Sequence, residues 1–408
     1  MVFDAVIARS EATKPSSPVP QTGLLRSARN DAAETLALYI HWPFCVSKCP
    51  YCDFNSHVRF SVDQAQWRDF LLGDLAHEAR QTEGRPLGSI FFGGGTPSLM
   101  PPATVAALIE AAERHWGFAP GVEITLEANP SSVEAARFAD LAEAGVNRVS
   151  LGLQSLDDAR LRFLGRAHDV AEGLMALGTA QSRFDRVSFD LIYAMPGQTA
   201  GDWTRELGQA LSFGTGHLSL YQLTIEPGTR FAALAAKGEL TPADPDESAA
   251  LYELTRDMTE AAGLPAYEIS NHARPGEESR HNLSYWRYRD YVGIGPGAHG
   301  RRNGAATQRH RKPENWLAAL ARDGNGIVEE TAIAPAERGV EALLMGLRLA
   351  EGVDLKRIGD LCGRDPIDRK AAERLSRQGL LAIEGDRLRA TAAGMLLLDS
   401  LLAGVVRT

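Results

Sequence analysis

An alternation of strand-like apolar segments with helix-like amphipathic segments is the feature of this 408-residue chain that most restricts its fold. Strands are predicted at residues 36–41, 89–92, 122–127, 147–153, 186–192 and 217–223, with helical patterns between them. Strands that alternate with helices form parallel sheets with right-handed crossovers. Because six strands are too few for a closed eight-stranded barrel, the pattern predicts an α/β fold with a partial (β/α)6 barrel. Functional groups are expected at the carboxyl ends of its strands.

The chain is predicted to divide into four segments. Residues 1–33, rich in Ser, Pro and Ala, are interpreted as a disordered tail, with a transit peptide as the alternative. Residues 34–270 form the predicted barrel, and residues 271–333 form a connecting segment. Residues 334–408 combine helical patterns with a hairpin and predict a winged-helix-like α+β domain. That last segment has 12 Lys and Arg against 11 Asp and Glu, which argues against nucleic-acid binding.

Composition and charge restrict the class of protein further. The chain is 44% hydrophobic and 23% charged, as globular proteins are, and it has no apolar run long enough to cross a membrane. Its formal net charge of −9 disfavours general binding to nucleic acid or to anionic membranes. The amino terminus lacks a secretory signal, so a cytoplasmic location is expected.

The cysteines give the strongest indication of chemistry. Three of the four, Cys45, Cys49 and Cys52, follow the first predicted strand with C-x3-C-x2-C spacing. Three thiolates can bind three irons of a 4Fe–4S cluster and leave the fourth iron open to another ligand. A zinc site completed by His41 or His57 is the main alternative, although zinc ligands usually occur as two separated pairs.

The segment around these cysteines, YIHWPFCVSKCPYCDF, resembles the radical S-adenosylmethionine (SAM) superfamily, as does the later segment FFGGGTPS. Within that superfamily the chain is similar to the oxygen-independent coproporphyrinogen III oxidase branch and its HemW-type haem chaperones. The resemblance, which begins near residue 36, implies a 4Fe–4S cluster, SAM bound to its open iron, and a protein that donates electrons to the cluster. It also implies that backbone groups of the glycine-rich segment and polar residues at later strand ends contact SAM. The implied SAM contacts are Tyr39, Tyr51, Gly94, Gly95, Thr96, Glu127, Gln154, Arg166 and Asp190.

A second motif, RHNLSYW at residues 280–286, resembles the HNxxYW signature associated with haem binding in the chaperones. The resemblance implies that His281 or Tyr285 contacts haem, because both residue types serve as axial ligands of haem iron. Arg280, Arg287 or Arg289 would then lie near the haem propionates. The alternative is a packed loop in which His281 bonds to the backbone.

Two functions are compatible with these resemblances. One is a chaperone that binds haem and passes it to acceptor proteins, among which membrane-associated respiratory proteins are one candidate class. The other is a coproporphyrinogen III oxidase that decarboxylates its substrate by radical chemistry. The oxidases usually carry a further cysteine two residues after the third ligand, whereas this chain has Phe54. The sequence therefore favours the chaperone, assigns no catalytic residue and predicts no oxidase activity.

Overall fold

The computed structural model describes residues 35–59 and 61–406, so the predicted tail at residues 1–33 lies outside the described residues. The strands of the first two-thirds of the chain are β1 (Leu36–Trp42), β2 (Phe44–Cys45), β3 (His57–Val58), β4 (Leu87–Gly94), β5 (Phe118–Ala128), β6 (Arg148–Gln154), β7 (Arg186–Tyr193), β8 (His217–Gln222) and β9 (Asn271–Ala273). The helices are α1 (Gln64–Gln81), α2 (Pro102–Trp116), α3 (Ser132–Ala135), α4 (Phe138–Glu143), α5 (Asp158–Phe163), α6 (Val170–Arg183), α7 (Ala200–Ser212), α8 (Arg230–Ala236) and α9 (Pro245–Ala261).

The six predicted strands correspond to β1, β4, β5, β6, β7 and β8, which lie side by side in that order and run parallel. The predicted partial barrel is therefore confirmed. Alternation along each strand separates two kinds of side chain. Leu126, Leu151 and Phe189 belong to the main hydrophobic core. Next to two of them in sequence are the polar residues Ser150 and Asp190, whose side chains hydrogen-bond to each other across the sheet.

The rest of the chain adds more strands to this sheet than the sequence predicted. Its strands are β10 (Tyr291–Ile294), β11 (His299–Arg302), β12 (Ala305–Arg309), β13 (Ile327–Ala332), β14 (Val353–Asp354), β15 (Leu381–Glu384) and β16 (Arg387–Ala390). Strand β10 pairs parallel with β1, β11 to β13 continue antiparallel from it, and β9 pairs antiparallel with β8. The segment predicted as a connection thus contributes five of the eleven strands of one sheet.

Buried ion pairs attach this extension to the barrel. Arg309 of β12 lies 2.8 Å from Asp74 and 2.8 Å from Glu78, both on α1. Arg302 of β11 lies 2.5 Å from Glu78. All four side chains are almost completely buried, so each charge depends on its partners for compensation.

The final domain has its own core. Helices α10 (Arg280–Trp286) and α11 (Pro313–Asp323) precede this domain in the chain. Its own helices are α12 (Pro335–Gly346), α13 (Leu355–Cys362), α14 (Arg369–Arg377), α15 (Ala392–Met395) and α16 (Leu398–Val405). The predicted hairpin is present as β15 and β16, and Gly385 takes a φ of +63° in its turn. None of the helices in the described part of the chain combines the length and apolar character needed to cross a bilayer.

Candidate cluster and cofactor site

The three clustered cysteines lie in the loop that follows β1, at the carboxyl end of the barrel. Cys45 ends β2, and the N–H of Cys52 donates to the carbonyl of Cys49 at 3.2 Å in the turn that follows. All three thiols are free and partly exposed. Cys362 is buried in the core of the final domain. The structure therefore places the three predicted ligands in one loop and keeps the fourth cysteine apart.

The electrostatics of this loop suit a cationic ligand. Burial raises the pKa of the Cys45 thiol, and neighbouring Cys52 and Cys49 raise it further; burial also raises that of Cys52. Three adjacent thiolates need positive charge, which a cluster supplies when the thiols lose their protons. Within the described ranges, no three His, Cys, Asp or Glu side chains are arranged to hold a single metal ion. A 4Fe–4S cluster does not need side chains that converge on one ion, because each thiolate binds a different iron of the cluster.

A chain of hydrogen bonds joins two of these cysteines through three other side chains. Thr96 donates from its hydroxyl to the Cys45 sulfur at 3.4 Å and accepts from the Asn129 amide at 3.2 Å. Arg166 donates to the Asn129 amide oxygen at 2.6 Å and to the Cys49 sulfur at 3.6 Å. These bonds fix the sulfurs and give each a polar neighbour, as around iron–sulfur clusters.

The glycine-rich end of β4 packs against the cysteine loop. A Cβ at Gly94, where φ is +115°, would lie 2.7 Å from the His41 ring, and one at Gly95 would lie 2.7 Å from the Phe44 carbonyl oxygen. The N–H groups of Gly95 and Thr96 donate to the carbonyls of Trp42 and Phe44 at 2.7 and 2.9 Å. Glycine is therefore required for close chain approach. These two N–H groups therefore hold the glycine-rich segment against the cysteine loop.

Two of the predicted SAM-contact residues are carboxylates inside the barrel. Burial and, to a smaller extent, the nearby charge of Asp190 raise the pKa of Glu127 to about 8. Burial also raises the pKa of Asp190 to about 6, although the hydroxyls of Ser219 and Ser150 oppose this, the latter at 3.2 Å. Such a pair is stabilised by a ligand that brings positive charge or hydroxyl donors, and SAM has both.

The other predicted residues lie around the same opening. Tyr39 forms a hydrogen bond of 2.9 Å between its hydroxyl and Nδ1 of His41. Tyr51 lies in the cysteine loop, with its ring centre 6.4 Å from that of Phe231. Gln154, the last residue of β6, adopts a φ of +68°, a strained conformation that is typical of functional sites.

The second motif lies at the other end of the barrel. His281 bonds through Nδ1 to the Ser89 hydroxyl and through Nε2 to the Tyr285 hydroxyl, both at 3.0 Å. Its side chain is 2% exposed, and its ring stacks on Phe91 at 4.8 Å. Because Ser89 pairs with Ala37 near the start of β1, this motif closes the amino end of the barrel. Burial lowers the pKa of His281 to about 3, so its imidazole is neutral.

Asn129 and Ser89 are contacts that the sequence did not predict. Asn129 lies two residues after Glu127, which the sequence did predict as a SAM contact. This closeness in sequence was the one indication that Asn129 also belongs to the site. The Ser89 contact to His281 joins residues 192 positions apart, so no local pattern could predict it.

Comparisons with known proteins agree with this geometry. Residues 39–207 match the Radical SAM superfamily, and residues 333–397 match the HemN C-terminal domain. The chain is 38% identical to the heme chaperone HemW of Escherichia coli, over 90% of this chain and 97% of that protein. It is 38% identical to the mitochondrial radical S-adenosyl methionine domain-containing protein 1 of Bos taurus, over 96% and 89%. The fold also matches coproporphyrinogen III oxidase (HemN) from Escherichia coli, with a TM-score of 0.77, 21% identity, and coverage of 91% and 89%.

Proposed function

Because the chain belongs to the radical SAM family that contains the heme chaperone HemW of Escherichia coli, we propose that it is a haem chaperone. In this proposal the protein binds haem, carries a 4Fe–4S cluster with SAM, and passes haem to acceptor proteins. Its location is the cytoplasm, and a separate protein donates electrons to the cluster. At 21% identity, the likeness to the oxidase HemN concerns the fold alone.

The residues at the carboxyl end of the barrel are suited to the cluster and to SAM. Cys45, Cys49 and Cys52 would each bind one iron. The buried Nε of Arg166 has no hydrogen-bond partner among the described residues, which leaves a donor for the SAM carboxylate. Glu127 and Asp190 would accept from the amino group and the ribose hydroxyls. When bound, the cluster and SAM supply one-electron chemistry.

The observation that carries the haem assignment is the state of His281. Its imidazole is neutral, as an iron ligand must be, and the hydroxyl of Tyr285 is the one described group that bonds to its Nε2. Rotation of Tyr285 would free that nitrogen and would also move a second candidate ligand, the tyrosine oxygen. Phe54, which is 59% exposed, stands where the oxidases usually have a cysteine, and it favours haem binding over oxidase chemistry.

An absorbance titration of the anaerobically reconstituted protein with haemin tests the proposal. Haemin should bind with a shifted Soret band, and coproporphyrinogen III should not be converted. His281→Ala should change that spectrum. Tyr285→Phe distinguishes the two candidate ligands: it should strengthen binding through Nε2, which no hydrogen bond then occupies, and should weaken binding through the tyrosine oxygen. His217→Ala is the matched control, since His217 is also buried and bonds to a tyrosine hydroxyl, that of Tyr267, at 2.9 Å.

Two results would contradict the proposal. An unshifted Soret band in the wild-type protein would show that the protein does not bind haem. SAM-dependent formation of protoporphyrinogen, well above a Cys52→Ala control, would establish the oxidase reaction instead.

A further inference from the structure

Three arginines meet where the second motif joins the final domain. Arg287 and Arg289 follow α10, and Arg357 lies on α13. The guanidinium of Arg357 donates to the carbonyl of Tyr288, between the other two, at 3.5 Å. We refer to Arg287, Arg289 and Arg357 as the junction arginines.

Positive charge at the junction is incompletely compensated. Arg287 forms a bidentate pair with Glu351, at 2.7 and 2.9 Å. The Arg289 guanidinium, although partly buried, has no hydrogen bond or ion pair to any residue that the structure describes. A fourth cation, Arg301, donates to the carbonyl of Arg289 at 2.8 Å. Burial, together with the charges of Arg287 and Arg357, lowers the pKa of Arg289 to about 10.

The pair between Arg287 and Glu351 shows what kind of ligand suits the junction. Arginine binds carboxylates through two parallel N–H bonds, and here it does so with one carboxylate already. Arg289 and Arg357 offer the same donors, and neither has a carboxylate at hydrogen-bond distance among the residues that the structure describes. The junction is thus built for a second carboxylate, or for two if Glu351 is displaced.

The junction also lies next to the proposed haem ligands. The N–H of Arg289 donates to the carbonyl of Ser284, the residue before Tyr285, at 2.9 Å. The ring centres of Tyr285 and Tyr291 are 4.4 Å apart, and the Arg301 guanidinium lies 5.4 Å from that of Tyr291. Arg280, by contrast, donates to the Gly121 carbonyl and is already engaged.

We propose that the junction arginines bind the propionate carboxylates of haem. This inference rests on the proposed haem function and adds to it a binding site for the haem carboxylates. The final domain contributes Arg357 to that site. Arg289 and Arg357 are the main donors. Glu351 competes with the propionates for Arg287.

The test compares haemin with its dimethyl ester, in which the propionates carry no charge. Wild-type protein should bind haemin more tightly than the ester. Arg289→Gln and Arg357→Gln should each weaken haemin binding by about tenfold or more and leave ester binding unchanged. Glu351→Gln should act in the opposite direction and strengthen haemin binding. Arg205→Gln, which removes an exposed arginine from α7, is the control.

The outcomes separate this inference from the function on which it rests. If wild-type protein binds haemin and the ester equally, the carboxylate site is wrong and the haem function stands. If the preference for haemin persists unchanged in both arginine variants, other groups hold the propionates and the inference is again wrong. If neither compound binds, both proposals fail. Arg289 has no described partner to lose, so Arg289→Gln should keep the wild-type melting temperature.

Discussion

Glu127→Gln should stabilise the cluster-free protein at alkaline pH and leave its stability unchanged at acidic pH. Glutamine has the shape of the protonated carboxyl group but cannot ionise. Burial raises the pKa of Glu127 from 4.5 to about 8 in the folded protein. A raised carboxyl pKa means that the folded state holds the proton more tightly than the unfolded state. The stability that this proton provides is complete below about pH 4.5 and is lost as the pH rises through about 8.

The magnitude follows from the same pKa values. A rise from 4.5 to about 8 corresponds to at most about 5 kcal/mol, at about 1.4 kcal/mol per pH unit. Glu127 is only partly buried, so solvent in the barrel screens its charge and reduces the effect. We therefore expect Glu127→Gln to gain about 1–3 kcal/mol over the wild type at pH 8.5 and almost nothing at pH 5.

Urea unfolding of cluster-free, reduced protein at the two pH values measures this difference. Asp190→Asn should show a smaller gain that develops at lower pH, because the pKa of Asp190 is about 6. Glu113→Gln, which removes one charge from the exposed side of α2, controls for the change in net charge. An equal difference between Glu127→Gln and wild type at both pH values would refute the reasoning.

Two further predictions concern the cluster and the fold. Cys52→Ala should reduce the iron bound after anaerobic reconstitution to background, whereas Cys362→Ala should retain it; iron loss in the second variant would contradict the three-cysteine assignment. Arg309→Leu should cost about 3–5 kcal/mol in urea unfolding, because it leaves Asp74 buried without its cation. Arg322→Leu, which removes an exposed pair, should have a much smaller effect, and an equal cost for the two would argue against the buried network.

The parallel strands could be predicted because their buried faces make continuous apolar patterns. The strands of residues 271–333 could not. Strand β10 has only four residues, Tyr291–Ile294, and β11 carries Arg301 and Arg302 at positions where a buried strand would be expected to be apolar. Arg302 is tolerated there because its charge is paired with Glu78, a residue more than 220 positions earlier. Such a pairing is invisible to local periodicity.

The candidate site shows the same division. Spacing identified Cys45, Cys49 and Cys52, because three thiols in one short loop are a local pattern. The link from Thr96 through Asn129 to Arg166 required the fold, since it joins the segments that follow β4, β5 and α5. The location of His281 at the opposite end of the barrel could not be predicted either, because the sequence gives the position of the motif in the chain but not its position in the folded protein.

The position of the two sites at opposite ends of β1 has a kinetic consequence. His41, beside the glycine-rich end of β4, and Ala37, beside Ser89, are four residues apart, which is about 13 Å along a strand. Ligands that enter from opposite ends of a barrel do not block each other's route. In the proposed function, SAM and haem would therefore bind in either order, and neither would have to leave before the other is released. Tyr39 lies between them, bonded to His41 and with its ring centre 6.3 Å from that of His281, so the occupancy of one end can still alter the packing at the other.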